Sequence, residues 1–401
     1  MRYRMLLVMT LAQIGASVVQ QGYGSLSPAI VGFFHLTKAQ LGLSITSLAL
    51  GSAVTVALGG ALVDRFGERN VTMFAGCSVC TTLIVGAIVP SYGWLVGCLF
   101  FVGVAYATLT PAGGRAILIW FERDRGLAMS IRQMGVPIGA VIGGSIMPLV
   151  AVRYDYQVAL IVGALFALFL TTGAASLYRD PEGTEFPPTR FRHLMSGMKT
   201  IARDPRTIWL TSSCMVLAGL QQVMNGFLSL TATNRAHTSL ALAASAFVTA
   251  QVAAIVGRAI WGRVSDSMFG GDRVVPVMYS CVIAIFAGIG LAATHPGSLA
   301  LLFPSAFALG FAAAGWNGLF SAAMAEIGGP RFAGSAIGIG LTAIFFASAF
   351  GPWFFGEFAD RFGLVSAWLF TSALSAVALV PAFLARKAFR HAEMQERASL
   401  G

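Results

Sequence analysis

Long apolar windows alternate with short polar segments along the whole chain, and this alternation predicts helices that cross a membrane. A helix needs about 20 mostly apolar residues to span the hydrocarbon of a bilayer. Windows of that size cover 5–33, 39–62, 70–90, 92–119, 127–151, 156–178, 207–232, 239–263, 274–294, 297–325, 333–356 and 364–385. The pattern therefore predicts an all-α membrane protein with twelve transmembrane helices, numbered spans 1 to 12.

The longest polar interruption divides the twelve spans into two groups of six. We predict a first six-helix bundle over 1–178, a cytoplasmic linker over 179–206, a second bundle over 207–385 and a cytoplasmic tail over 386–401. Basic residues in the second part of the linker alternate with apolar ones. That composition predicts a short amphipathic helix on the anionic inner leaflet.

The two groups of spans repeat one another. Three markers recur at offsets of 201, 202 and 207 residues, namely Gln20-Gln21 as Gln221-Gln222, Asp64 as Asp266, and Gly103 as Gly310. A nearly constant spacing over independent markers indicates a duplicated six-helix unit. Transporters built in this way place the substrate between the two halves, near the middle of the membrane, and rock about it.

Composition and charge support a membrane protein and set its orientation. The chain is 57% hydrophobic and 10% charged, and a soluble domain of this size would expose too much apolar surface. With both termini inside, nineteen of the 26 basic residues lie in cytoplasmic segments and four lie in outer loops. The positive-inside rule thus predicts a plasma (inner) membrane protein with both termini cytoplasmic. The net charge of +10 reflects this topology, and we predict no nucleic-acid partner.

The sequence offers no enzyme site. It contains no evident Ser/His/acid set, metal-ligand cluster or phosphate-binding loop, so we predict no catalytic residues, no metal and no cofactor. The pair Cys77-x-x-Cys80 lies in an apolar span without a nearby His or acid. We interpret these cysteines as small packing residues.

The loop after span 2 resembles the signature of the major facilitator superfamily and reads Gly60-x-Leu62-x-Asp64-Arg65-x-Gly67-x-Arg69. The number of spans, the linker and the duplication agree with that family over the whole chain. Glu68 stands where the family usually has a basic residue. The resemblance implies a conformational gate on the cytoplasmic side. The gating residues that it implies are Asp64, Arg65, Gly67, Arg69, Arg125 and Asp266.

A narrower resemblance concerns the junction of spans 4 and 5, Trp120 to Gly139, which looks like that of monocarboxylate and oxalate/formate-type transporters. The segment from Gln21 to Gly24 resembles their span 1 motif, although Gln21 replaces its usual acid. Arg258 occupies the place of that branch's substrate-facing arginine, and Ala254 replaces the acid one turn before it. The resemblance implies carboxylate binding, while the departures weaken the branch's proton-coupling scheme.

Three arginines are the charged residues that the pattern places within spans. An unpaired guanidinium at mid-depth costs at least about 2.5 kcal/mol and therefore needs a cavity or an anion. Arg258 lies about 12 Å from its loop, and we favour it as a carboxylate clamp over an arginine bound to helix carbonyls. Arg132, about 10 Å in, is a second positive group or a lock against the gate loop. Arg115 fits a gate or snorkelling residue.

Amides, hydroxyls and one indole complete the predicted site. The additional substrate-binding candidates are Gln20, Tyr23, Gln221, Asn225, Trp316 and Asn317. Polar stripes on membrane helices also serve as contacts between helices, which is the alternative for each of these residues.

Together these features predict a monomeric secondary transporter that moves a small organic anion, with a monocarboxylate as the first candidate. The lack of a visible acid inside the spans favours anion exchange or facilitated movement, and the coupling ion or exchange anion stays open. Two alternatives are efflux of apolar or drug-like compounds and a non-transporting sensor with the same fold.

Overall fold

The computed structural model describes residues 1–121, 125–179 and 200–400, and for residues 56–61, 64, 118, 125–127, 130, 330–335 and 396–400 it describes the backbone alone. The α-helices of these described residues are α1 Arg2–Gly22, α2 Ser27–Phe34, α3 Lys38–Ile88, α4 Tyr92–Ala107, α5 Leu109–Trp120, α6 Arg125–Arg153, α7 Tyr156–Ser176, α8 Pro205–Arg235, α9 Leu240–Met268, α10 Val274–Ala292, α11 Leu299–Gly315, α12 Asn317–Val377 and α13 Leu379–Leu400. The all-α prediction is confirmed, and ten helical segments of the described chain are long and apolar enough to cross a membrane.

Glycines divide the two longest helices into separate rods. Gly67 interrupts α3 with φ 75°, and Gly329 and Gly363 interrupt α12 with φ 60° and 82°. Residues other than glycine rarely adopt such φ values, so these positions turn the chain between spans. By contrast, a short 3₁₀ turn at Tyr23–Leu26 connects two helices, so that α1 and α2 form one span. With these breaks and joins, ten segments of the described chain are candidate spans, and the other predicted windows also lie in helices of the described backbone.

The rods pack antiparallel, and their connections fall at two ends. We call the end that carries both chain termini the terminal end and the opposite end the far end. Three helices that begin at the far end have side-chain caps: Thr37 with Gln40 in a capping box, Asp155 and Ser239. Each cap accepts a hydrogen bond from a backbone N–H group that the first turn leaves free, and so it defines where the span starts.

The duplication appears in the packing of the two halves. A Cβ added to Gly103 would lie 2.0 Å from the carbonyl oxygen of Leu48, and one added to Gly310 would lie 1.9 Å from that of Ala250. The backbone of α4 therefore rests directly on α3, and that of α11 rests on α9. The same close approach at the same place in each half is the structural counterpart of the sequence repeat.

The two halves touch closely at the far end. A Cβ on Gly24 would lie 1.5 Å from the Asn225 carbonyl oxygen, and one on Gly42 would lie 2.2 Å from that of Pro352. Only a residue without a Cβ allows backbones to come this near. The structure is therefore closed at the far end.

Two predicted boundaries differ from the structure or fall outside it. The residues predicted as a tail, 386–401, continue as the helix α13 through Leu400, and Arg386 binds Asp272 at 3.0 Å. The helix continues because α13 packs along α8. The amphipathic helix predicted within 179–206 lies mostly outside the described residues.

We expect Gly103→Ala to lower the thermal unfolding temperature of the purified protein, because its Cβ would collide with the backbone of α3. An overpacked core of this kind costs about 1–3 kcal/mol. Gly97→Ala on the same helix is the matched control, since no atom lies within 4 Å of a Cβ placed there. Equal unfolding temperatures for the two variants would contradict the packing described for α3 and α4.

Candidate functional site

Arg132 lies buried in the first half, with 1% of its surface exposed. Its Nη1 donates to Oε1 of Gln13 at 2.9 Å and to the carbonyl oxygen of Leu109 at 3.4 Å. The guanidinium also packs against Gly113, where an added Cβ would lie 2.5 Å from Nη1. Helices α1, α5 and α6 thus hold this charge in one place.

Gln13 is itself held by two hydroxyl groups. Its Nε2 donates to the Tyr106 hydroxyl at 2.9 Å and to Ser17 Oγ at 3.2 Å, and these two hydroxyls are 3.2 Å apart. Because the amide nitrogen is engaged in this way, the amide oxygen faces Arg132. The network links α1 and α4 to the arginine on α6.

Arg258 on α9 reaches across to the first half. Its Nη1 donates to the carbonyl oxygen of Gln133 at 2.8 Å, and its Nε donates to that of Ala314 at 3.1 Å. The carbonyl-bound arrangement that the sequence left as the alternative is therefore present in this far-end-closed structure. The charge nevertheless stays in the site, because Gln133 directly follows Arg132 on α6 and the contact brings the Arg258 guanidinium to that segment. We call Gln13, Tyr106, Arg132 and Arg258 the arginine cluster.

The positive charge of the arginine cluster has no carboxylate partner among the described residues. Neither Arg132 nor Arg258 forms an ion pair in that part of the chain, and Nε and Nη2 of Arg132 are buried without a hydrogen-bond acceptor. A buried charge is normally paired or hydrogen-bonded, because desolvation penalises it strongly. The arrangement therefore favours an anion from outside the protein.

A second polar group joins the halves at the far-end side of the arginine cluster. Asn225 Nδ2 donates to Gln21 Oε1 at 2.6 Å and to Gln222 Oε1 at 3.2 Å, and Gln251 Nε2 donates to Asn225 Oδ1 at 2.8 Å. We call these four residues the amide cluster. It holds α1 of the first half to α8 and α9 of the second.

A small pocket lies beside the amide cluster. Its lining residues are Gln20, Gln21, Tyr23, Gly24, Ile45, Leu48, Gln222 and Asn225. Gln20 contributes a buried amide oxygen that has no hydrogen-bond partner among the described residues. The arginines do not line this pocket, because Gln13 of their cluster lies two turns, about 10 Å, from Gln20 along α1.

The other predicted binding residues take up several positions around these clusters. Tyr23 lines the pocket, but its hydroxyl donates to Ser44 at 3.1 Å. Gln221 accepts a hydrogen bond from Asn317 Nδ2 at 3.4 Å, across α8 and α12. Trp316 is buried, and its indole N–H donates to the Ala313 carbonyl at 2.7 Å. Its environment is that of a packing residue in this conformation.

The predicted gating residues lie at the terminal end. Gly67 provides the break in α3, while Arg65 and Arg69 are exposed. Asp266 is bound by Arg273, which also binds Glu326 at 3.1 Å within the second half. The side chains of Asp64 and Arg125 lie outside the described residues, so their role in the cytoplasmic gate stays a prediction.

Glu68, the departure from the family signature, has a specific partner. Its carboxylate is 1% exposed and lies 3.1 Å from Nε of Arg115, whose Nη1 donates to the Val63 carbonyl at 2.8 Å. Arg115 is therefore part of the terminal-end structure around the signature loop. A basic residue at position 68 would face Arg115 with a like charge.

Sequence reasoning did not single out Tyr106 and gave Gln13 only a place on the polar stripe of span 1. Tyr106 stands in an almost wholly apolar stretch of α4, and its contact with Arg132 joins residues far apart in the chain. The useful signal was the spacing of Gln13 and Ser17, four residues apart on one helix face.

The sequence pattern of the Major Facilitator Superfamily matches residues 9–352. The chain belongs to the major facilitator superfamily. An uncharacterized MFS-type transporter of Mycobacterium tuberculosis is 29% identical over 366 residues, which cover 90% of this chain and 80% of the relative. A hexuronate transporter of Bacillus subtilis is 27% identical over 151 residues, or 35% of each protein.

Solved structures of two superfamily members share the fold. A bacterial homolog of the human lysosomal transporter Spinster, in an inward-facing and unoccupied conformation, has a TM-score of 0.81 at 17% identity and covers 97% of this chain and 98% of its own. The nucleoside transporter NupG has a TM-score of 0.75 at 17% identity, with coverage of 97% and 98%. This superfamily protein is thus a multi-pass membrane transporter and is not an enzyme.

We expect Glu68→Arg to abolish or strongly reduce folded protein in the membrane, because it places a second guanidinium beside Arg115. Breaking a buried ion pair costs about 3–5 kcal/mol. The measurement is the yield of monodisperse protein in detergent. The double variant Glu68→Arg/Arg115→Glu should restore part of that yield, and the exposed Arg69→Glu should leave it unchanged. A normal yield for Glu68→Arg alone would show that the pair has no structural role.

Proposed function

We propose that this protein transports a small organic anion that carries a carboxylate, with a monocarboxylate as the first candidate. The observation that carries the proposal is the arginine cluster, in which the buried Arg132 and the partly buried Arg258 have no carboxylate partner among the described residues. Guanidinium groups suit carboxylates because their planar N–H groups match the two oxygens.

The position of the cluster fits alternating access. Arg258 of the second half donates to the Gln133 carbonyl of the first half, so this contact must change when the halves rock. A substrate carboxylate competes with that carbonyl for the same N–H groups. Binding of the anion and movement of the halves are coupled in this way.

The pocket beside the amide cluster supplies the remaining recognition. Gln20, Tyr23 and Asn225 line or border it, and Gln221 and Asn317 are bonded to one another nearby. Its lining of amides, one phenol and two aliphatic side chains suits a small molecule with polar and apolar parts. Relatives named as hexuronate transporters in Bacillus subtilis and Escherichia coli also carry acids, which supports the anionic class.

We further propose exchange or facilitated movement rather than proton symport driven by an acid of the site. Neither the arginine cluster nor the amide cluster contains a carboxylate. We also propose that both termini lie in the cytoplasm and that the far end faces the outer side of the plasma membrane, an orientation that the basic residues of the terminal-end loops support. We propose that the protein acts as a monomer.

Efflux of apolar cations is the second candidate. The apolar part of the pocket, Ile45 and Leu48, would suit such a substrate. Two buried positive charges would repel a cation, however, so this candidate has less support.

Uptake into proteoliposomes tests the proposal with labelled lactate, pyruvate, glucuronate, oxalate and succinate. We expect uptake of at least one acid, and a loss of about ten-fold or more in Arg258→Gln and in Arg132→Gln, because each loses charge-assisted hydrogen bonds. Arg235→Gln is the matched control, since Arg235 binds the Thr294 carbonyl at the far end.

Two results would contradict the proposal. If wild type moved none of the five acids under any imposed gradient, the organic-anion class would be wrong and efflux would be the leading function. If wild type moved an acid and both glutamine variants transported it normally, the arginine cluster would have a structural role alone.

A further inference from the structure

We propose that the edge of Arg132 formed by Nε and Nη2 is the carboxylate receptor of this transporter, and that Gln13 and Tyr106 are its positioning residues. This inference rests on the proposed function and names the atoms that select the substrate. Both nitrogens are buried and have no acceptor in the part of the chain that the structure describes. They belong to the same side of the planar guanidinium, so one carboxylate accepts from both at once.

The orientation of this edge follows from what the other nitrogen contacts. Nη1 is engaged by Gln13 and Leu109 at 2.9 and 3.4 Å, so those contacts leave the opposite side of the group unused. Gln13 keeps its oxygen toward Arg132 because its nitrogen donates to Tyr106 and Ser17. The protein therefore presents the edge in a prepared geometry.

The chain contains an occupied example of the same arrangement. At the start of α8, Nε of Arg206 lies 3.1 and 3.2 Å from the two oxygens of Asp204, and Nη2 lies 2.7 Å from Oδ2. In Arg206 the edge is paired with a neighbouring carboxylate, whereas in Arg132 it is buried and has no acceptor among the described side chains. The unpaired edge of Arg132 thus fits a substrate group with two coplanar oxygens.

The test compares transport kinetics of wild type, Arg132→Lys and Gln13→Leu for each acid that wild type transports. Lysine keeps the charge and removes the two-donor edge. We expect the KM of Arg132→Lys to rise about ten-fold or more with little change in maximal rate. Gln13→Leu should raise KM in the same direction by less. Arg235→Lys, whose arginine binds backbone carbonyls, should have the wild-type KM.

A neutral substrate analogue separates binding from structural damage. Excess glucuronate should inhibit wild-type uptake much more strongly than excess glucuronamide, and Arg132→Lys should lose this preference at an unchanged unfolding temperature. A wild-type KM in Arg132→Lys would overturn the receptor role while leaving anion transport intact. If Arg132→Lys did not fold, Gln13→Leu would serve as the test instead. A wild-type KM in Gln13→Leu would then overturn the proposal.

A second, independent observation concerns the far end. The segment Gly60-x-x-x-Asp64-Arg65-Phe66-Gly67 recurs as Gly356-x-x-x-Asp360-Arg361-Phe362-Gly363. The two closing glycines have almost the same backbone, φ 75° and ψ 161° for Gly67 and φ 82° and ψ 162° for Gly363. The second copy lies at the far end, opposite to the first.

Asp360 of this copy binds the other half of the protein. Its carboxylate accepts from the backbone N–H of Lys38 at 3.0 Å and of Ala39 at 2.7 Å, and it lies 3.3 Å from Lys38 Nζ. Burial raises the pKa of this carboxyl group, but the two backbone hydrogen bonds and Lys38 outweigh burial and lower the pKa below its ordinary value. The carboxylate is therefore ionised at neutral pH and caps the positive end of α3.

From these contacts we infer that the far-end copy is a latch that holds the far end closed. The bonds join the two halves, so they must break whenever the halves separate at this end. Gly356 makes the contact possible, because a Cβ there would lie 2.2 Å from the Lys38 carbonyl oxygen. The neighbouring Glu357 binds Arg361 within its own helix and takes no part in the latch.

Double electron–electron resonance between spin labels at Ser91→Cys and Ser239→Cys measures the opening of the far end and so tests the latch. The labels are introduced into a variant whose five native cysteines are replaced by alanine. Ser91 and Ser239 lie at the far end of the first and second half and are exposed. We expect Asp360→Asn and Gly356→Ala to increase the long-distance population about five-fold or more. Glu357→Gln should give the wild-type distribution.

The latch is wrong if Asp360→Asn and Gly356→Ala both keep the wild-type distances. It is also wrong if Glu357→Gln widens the far end as much as Asp360→Asn, since that result would reflect a general disturbance of the loop.

Discussion

Close approach of helix backbones is the constraint on which this structure depends. Lipid is as apolar as the side chains that face it, so packing between membrane helices cannot rely on the hydrophobic effect and requires intimate contact. Glycine supplies that contact within each half at Gly103 and Gly310, and between the halves at Gly24 and Gly42. Between the halves, these backbone contacts are joined by a small number of polar side-chain contacts, such as Asn225 with Gln21 and Asp360 with Lys38. The positions of these glycines therefore determine how closely the helices of this transporter pack.

The same low-polarity environment explains the chemistry of the interior. A guanidinium in such surroundings must be hydrogen-bonded, and the protein provides carbonyl and amide oxygens instead of carboxylates at Arg132 and Arg258. Carbonyl oxygens orient the charge without neutralising it. Under the proposed function, an anion that enters the site meets a net positive field and two donors of Arg132 that have no acceptor among the described residues. Neutralisation by the substrate, rather than by the protein, then makes the site selective for anions.

The two ends of the bundle use ion pairs differently. At the terminal end, Glu68 and Arg115 form a buried pair within one half, next to the signature loop. At the far end, Asp360 caps α3 of the other half through backbone N–H groups. The first pair lies within one half, whereas the second contact joins the two halves of this far-end-closed structure. In the proposed latch, the far-end contact favours the closed state over the open one.

The sequence alone determined the fold class, the duplication and the residues that carry charge, because apolar length, repeat spacing and the cost of a charge in lipid are local properties of the chain. It also identified Arg132, Arg258 and the amides of α1 and α8 as candidates. Only the tertiary structure decided what each polar group contacts. The contacts of Gln13 with Tyr106 and Arg132, of Glu68 with Arg115, and of Asp360 with the first turn of α3 join residues that are distant in sequence. Such contacts depend on how helices rotate and cross one another, and no periodicity along the chain records that rotation.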